Sequence, residues 1–167
     1  MSKVLTIDDA RQSLTSHLVE KGAEVRQKYG PRIGWSELLA LLEDRSCVRY
    51  PCEICFEAEP LLAGEFAHPI AKGATPNEGF TLCIHPFFDS RLESVPALVL
   101  YQLVIINYGE FASVDDAETF GAAALGISKE DYYQLVCSLA DQIVPENPEC
   151  VTGEPTNFCS HEQKLNR

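Results

Sequence analysis

Five side chains able to bind a soft metal or carry out thiol chemistry fall within one stretch of the chain: Cys52, Cys55, His68, Cys83 and His85. Cys52 and Cys55 form a C-x-x-C, which can offer two thiolates to zinc when the backbone turns back between them. A redox C-x-x-C instead needs its first thiol at a helix N-terminus. The surrounding residues favour neither arrangement. Val48, Tyr50, Cys52, Ile54 and Phe56 alternate with Cys47, Arg49, Pro51, Glu53 and Cys55, which is the period of a strand with one buried face. Positions three apart on a strand point to opposite sides, so the two sulfurs are expected to diverge. Phe56, and not a knuckle glycine, follows the second cysteine.

The histidines suggest a second set. Strands are expected near Gly64 to Ala71 and Phe80 to His85, joined by a loop carrying Gly73, Pro76, Asn77 and Gly79, which is turn chemistry. Symmetric pairing about that loop sets His68 opposite His85, with Cys83 on the same face as His85. Two imidazoles and a thiolate would supply three ligands for zinc. The plainer alternative is that both histidines are partly exposed and end their strands before Pro69 and Pro86. The order C-x-x-C, histidine, Gly–Asn loop and Leu–Cys resembles the treble-clef form of the HNH nucleases. A second C-x-x-C and the Asp–His pair are missing, and the net charge of −12 is wrong for DNA. A zinc site from Cys52, Cys55, Cys83 and His85 stays open.

A wider resemblance covers roughly residues 46–126. Leu98-Val-Leu-Tyr101-Gln102-Leu-Val-Ile105-Ile-Asn-Tyr-Gly109 resembles the active-site helix of the zincin metallopeptidases, whose H-E-x-x-H holds zinc and activates water. Tyr101, Gln102 and Ile105 occupy the three chemical positions, and none carries an imidazole or a carboxylate. Asp115-Asp116-Ala-Glu118-Thr-Phe-Gly resembles the helix that supplies a third ligand in some of those families, with Glu118 at the ligand position. Phe80–His85 matches their substrate-binding edge strand. The resemblance implies a zincin that has lost its metal, with Tyr101, Gln102 and Glu118 left around a pocket.

The elements that would position these residues follow from periodicity. Residues 7–28 read as an amphipathic helix capped by Thr6, with Ile7, Leu14, Leu18 and Val25 on one face. Ser36 to Glu43 reads as a second helix with Ser36 as its cap and Trp35 as a staple. Ser94 and Pro96 start a helix over Ala97 to Tyr108 that is apolar nearly all round and must therefore be central. Ser113 and Ser128 each start a further helix, the first ending at Gly126 and the second lined by Tyr132, Leu135, Val136, Leu139 and Ile143. The expected fold is α+β: a small, mainly antiparallel sheet packed on a buried central helix, with N- and C-terminal helices around it. One domain over 1–144 and a flexible tail over 145–167, containing Cys150, Cys159 and His161, complete the reading.

Composition bounds the function. A hydrophobic fraction of 46% allows a real core, and 25 acidic against 13 basic residues disfavour nucleic acid and anionic membranes as partners. A basic protein partner suits that charge better. The longest apolar run, Val95 to Ile106, is interrupted by Gln102 and is too short for a bilayer. The first residues lack a signal-peptide pattern, so a cytoplasmic location is expected. Seven cysteines without an export signal point to free thiols, a metal site or redox chemistry, and away from a disulfide framework. The leading functional expectation is a non-catalytic interaction or accessory domain. The alternative is a zinc-binding protein using the Cys and His residues of the central strands.

Overall fold

The computed structural model describes residues 4–143. The expected tail, with Cys150, Cys159 and His161, lies outside the described residues.

The chain forms an α+β fold of five α-helices and one three-stranded sheet. Helix α1 spans Ile7–Tyr29 and α2 spans Trp35–Glu43. Strands β1 (Cys52–Phe56), β2 (Ala67–Ala71) and β3 (Phe80–Ile84) follow. Helices α3 (Val95–Tyr108), α4 (Val114–Leu125) and α5 (Lys129–Asp141) close the fold. Among the described residues no helix is long and apolar enough to cross a membrane.

Local chemistry sets most helix ends. Thr6 caps α1 by accepting from the Asp9 amide, and the Asp9 carboxylate accepts in return from the Thr6 backbone. Ser113 and Asp116 do the same for α4. Gly126 then stops α4 with φ of +67°, a left-handed conformation that glycine adopts without strain. The start of α2 differs from expectation. Its cap is Gly34, whose amide donates to the Glu37 carboxylate, and Trp35 is the first helical residue. Trp35 stacks on Phe56 of β1, so the aromatic ties α2 to the sheet. Ile7, placed by spacing on the inner face of α1, is 77% exposed, while Leu18 and Val25 are fully buried.

Helix α3 runs through the centre. Eleven of its residues are buried, from Val95 to Asn107. The sheet covers one side of it through β2, α4 and α5 cover another, and α2 packs nearby. Helix α1 lies along α4, away from the sheet. The inner face of the sheet presents Cys52, Leu82, Ile84 and Ala67 to the same core.

The sheet order is β1-β3-β2, with β1 parallel and β2 antiparallel to β3. The sheet is therefore mixed, where a mainly antiparallel one was expected. Proline explains the order. Phe66 accepts from the His85 amide and the Lys72 amide donates to Gly79, so the even-numbered residues of β2 bond to β3. The backbone nitrogen of Pro69, in the middle of β2, points to the free edge of the sheet, where its missing N–H breaks no ladder bond. The strand continues through Pro69 and does not end at His68. The hairpin register also differs by two residues. His68 is opposite Cys83, and the pairing of His68 with His85 does not occur.

Helices α1 and α4 approach at Gly22. A Cβ there would lie 2.8 Å from the Phe120 carbonyl oxygen and 3.1 Å from the Ala124 amide nitrogen. Alanine gains about 1 kcal/mol of helix propensity over glycine. Overpacking against backbone, which cannot rotate aside, costs about 1–3 kcal/mol. The second effect dominates, so Gly22→Ala should lower the urea midpoint. A raised midpoint would mean that α1 and α4 have room to part.

Candidate functional site

Four of the five candidate ligands sit on one face of the sheet. Alternation places Cys52, Ile54 and Phe56 inward and Glu53 and Cys55 outward, with Thr81, Cys83 and His68 on the same outward face. His85 follows two residues after Cys83 on that side. Among the described residues, the buried side chains that the sheet adds to the helical core come from its inner face, apart from the shielded Cys83. Cys52 is thus separated from Cys55 by the thickness of the sheet, and the C-x-x-C does not form a two-thiolate site.

Cys55 instead meets Cys83. The two are register partners on the parallel pair, and the Cys55 thiol donates to the Cys83 sulfur at 2.9 Å. Cys83 is only 2% exposed and Cys55 is half-buried. Burial, followed by the bond to Cys83, pushes the Cys55 thiol up to about 12. Burial on the inner face, against the lowering charges of Lys72 and Arg45, takes Cys52 up to about 11. Both are protonated at neutral pH.

His68 completes a row, Cys55–Cys83–His68, across the three strands at one level. Strands lie about 4.8 Å apart, so the ends of the row are about 10 Å apart. The side chains do not converge: His68 Nδ1 lies 3.1 Å from Glu65 Oε1, and His85 Nδ1 accepts from the Phe87 amide at 3.2 Å. Among the described residues no three His, Cys, Asp or Glu side chains are grouped to hold a metal ion. The sets proposed from spacing, His68 with Cys83 and His85, and Cys52 with Cys55, Cys83 and His85, are not assembled.

Of the residues in the zincin comparison, Gln102 and Tyr101 turn to different partners. Gln102 is buried and donates from Nε2 to the Ala67 carbonyl at 3.2 Å. That oxygen faces the outer edge of β2, so α3 caps the strand edge with a side-chain amide. Tyr101 turns to the Phe66 ring at 5.8 Å. Burial and then the nearby Glu118 charge raise its phenol above the usual range. Glu118 lies on α4 and lines a shallow surface concavity with Lys129, Glu130 and Tyr133. The strand before α3 is also not an edge: β3 is central, and β2 is the edge that runs alongside α3. Asn107 was not singled out from sequence. Its amide donates to the Cys47 carbonyl and its oxygen accepts from the Arg49 amide, fixing the loop that leads into β1. A polar residue inside an otherwise apolar helix was the available signal, as it was for Gln102.

Two concavities flank this loop. One, of about 230 Å³, collects His17, Lys21, Arg45 and Arg49. Its cations are already engaged: Lys21 binds Glu24 and the Ser46 carbonyl, Arg45 binds the Leu42 carbonyl, and Arg49 lies over the Tyr50 ring. The other is a cleft of about 680 Å³ between the β2 edge and the C-terminal half of α3. Tyr50, Pro69, Phe80, Ile105 and Tyr108 line it, with Arg49, His68 and Glu110 as its charged or titratable groups.

Gln102 supplies a test of this geometry. Gln102→Leu leaves the buried Ala67 carbonyl without its donor, a cost of about 1–3 kcal/mol only partly offset by the added apolar side chain. Thermal unfolding should show a loss that does not vary with pH. Gln102→Glu restores the zincin carboxylate, but it can donate to Ala67 only when protonated. Its folded pKa is then raised above the unfolded value of about 4.3, so its stability is retained below that pH and falls as pH rises towards 7. Equal stability of the Glu variant at pH 4 and pH 7, relative to the parent, would mean that the side chain has turned to water. No protein-family model, no curated protein and no solved structure matches this chain.

Proposed function

We propose that this protein is a non-catalytic interaction domain. Its cleft between β2 and α3 takes a segment of a partner protein that has an apolar anchor flanked by basic residues. The observation that carries this reading is the character of the cleft walls. They are aromatic, proline and aliphatic side chains without a paired nucleophile and base. Under the zincin resemblance, Ile105 stands where a metal ligand would project, and it lines this cleft at 38% exposure. A cleft of that kind offers burial and shape, and these favour binding over bond cleavage.

Charge supports a basic occupant. The chain carries a net −12. Every lysine among the described residues is already ion-paired: Lys21 with Glu24, Lys28 with Glu24 and Asp44, Lys72 with Glu53, and Lys129 with Asp115. The carboxylates in excess define a negative field that would steer a cationic segment and weaken with salt. Within the cleft, Arg49 and Glu110 offset each other, so the apolar anchor would sit in the groove and its basic flanks would lie over the surrounding acidic surface.

Panning displayed random peptides on the full chain tests this. Sequences with an aliphatic or aromatic anchor between Lys or Arg residues should be enriched. Fluorescence anisotropy should show about a tenfold loss of affinity for Ile105→Gln, which removes the anchor contact without changing charge. Enrichment of acidic peptides, or undiminished binding to Ile105→Gln, would overturn the assignment of this cleft.

A further inference from the structure

We propose that Cys55 and Cys83 form a redox-modification site on the outer face of the sheet, closing to a disulfide that ties β1 to β3 when the protein meets an uncharged peroxide. This rests on the sulfur geometry and is independent of the cleft.

The pair meets the requirements for closure. The two residues are directly in register on adjacent parallel strands, where Cα atoms lie about 4.8 Å apart, inside the span of about 4.4–6.8 Å that a disulfide bridges. Their sulfurs already approach to 2.9 Å, and both thiols are free. Closure therefore needs a movement of under about 1 Å, within the reach of side-chain rotation. The two members differ as an attacked and a resolving thiol should. Cys55 is half-buried and open to a small oxidant, whereas Cys83 is shielded and reaches only Cys55. Cys47, Cys52 and Cys137 have no thiol in register with them. Cys52 faces the core, and Cys47 lies against Asp44.

The chemistry balances with peroxide as the only co-reactant. The Cys55 thiol loses its proton and its sulfur attacks one peroxide oxygen. The O–O bond breaks, one molecule of water leaves, and Cys55 becomes a sulfenic acid. The Cys83 sulfur then attacks the Cys55 sulfur, the S–OH bond breaks, and the Cys83 proton leaves with the hydroxyl as a second water. Two thiols are oxidised to one disulfide and one peroxide is reduced to two waters.

The surroundings set the rate. Facing Cys55 are Cys83 from β3, Glu53 and Glu57 from its own segment, Lys72 bonded to Glu53, and His68 beyond Cys83 with its Glu65 partner. Burial and the neighbouring carboxylates hold Cys55 as a thiol, so it responds to sustained oxidant more than to a brief pulse. The rate should climb about tenfold for each unit of pH as the thiolate fraction grows.

The test uses the reduced full-length chain. After hydrogen peroxide treatment, remaining thiols are alkylated and the chain is cut after glutamate, which separates Cys52 from Cys55 at Glu53. Mass spectrometry should find a peptide pair joining Cys55 to Cys83, with Cys52 alkylated. Dithiothreitol should reverse the link, and the oxidised form should melt several degrees higher, as expected for a cross-link closing a long loop. In Cys83→Ser, and in Cys83→Ala should the serine variant fail to fold, Cys55 should stop at a sulfenic acid that dimedone traps. Recovery of both thiols in alkylated form, a bridge from Cys55 to any other cysteine, or a stoichiometric metal ion shielding the pair would overturn the proposal.

Discussion

A helix apolar on every side must bury nearly all of its surface, and α3 is such a helix, with Ile105 alone of its residues exposed. Its burial from Val95 to Asn107 means that every neighbouring element must turn an apolar surface towards it. The sheet does so with Cys52, Leu82, Ile84 and Ala67, α4 with Ala117, Phe120 and Ala124, and α5 with Tyr132 and Val136. The same constraint makes each polar atom of α3 consequential. Tyr132 on α5 reaches in to donate to the Ala97 carbonyl at 2.7 Å, and Gln102 and Asn107 both spend their amides on backbone groups of other segments. Among the described residues no buried side-chain nitrogen or oxygen lacks a partner. The polar residues of the helix therefore act as locators: Gln102 fixes the edge of β2, and Asn107 fixes the loop into β1.

Because α3 occupies the inner face of the sheet, the outer face carries the thiols and imidazoles that alternate away from it. The helical layers lie on one side, and Cys55, Cys83, His68 and His85 lie on the other. The two cysteines of the C-x-x-C acquire different roles from this arrangement alone. Cys52 behaves as a small apolar residue of the core, while Cys55 pairs across the strands.

The elements governed by local chemistry were legible in the sequence. Capping by Thr6, Ser113 and Ser128 follows from residue type and spacing, as does the stop at Gly126. The central place of α3 follows from its lack of a polar face, and the divergence of Cys52 and Cys55 follows from strand period. Features that depend on partners remote in sequence were not legible. Nothing near β3 states that it pairs with β1 on one side and β2 on the other, so its central position and the meeting of Cys55 with Cys83 were missed. The hairpin register needed the turn geometry, in which Gly79 takes a φ of +91°, and loop length alone did not supply it. Pro69 carried a usable signal. A proline inside a strand marks an edge, and the strand expected over Gly64 to Ala71 contained Pro69 without its being used to place β2 at the edge beside α3.

The shape of the sheet also explains why the thiols and imidazoles gathered on one face do not converge among the described residues. A tetrahedral ion needs ligands that converge from different directions at about 2.0–2.3 Å. Residues at one level of a sheet project nearly parallel to one another, and their spacing is fixed by the strands at about 4.8 Å. Convergence then requires a knuckle, a bulge or a ligand from another layer. In β1 the chain runs straight through the C-x-x-C, and the described residues bring no third His, Cys, Asp or Glu to form a group there. Parallel projection permits bonding between neighbours taken two at a time. Thiols on adjacent strands are within reach of each other, and a histidine one strand further is left to a carboxylate of its own segment, as His68 is to Glu65. Among the described residues the sheet therefore brings these groups together in pairs and not in threes.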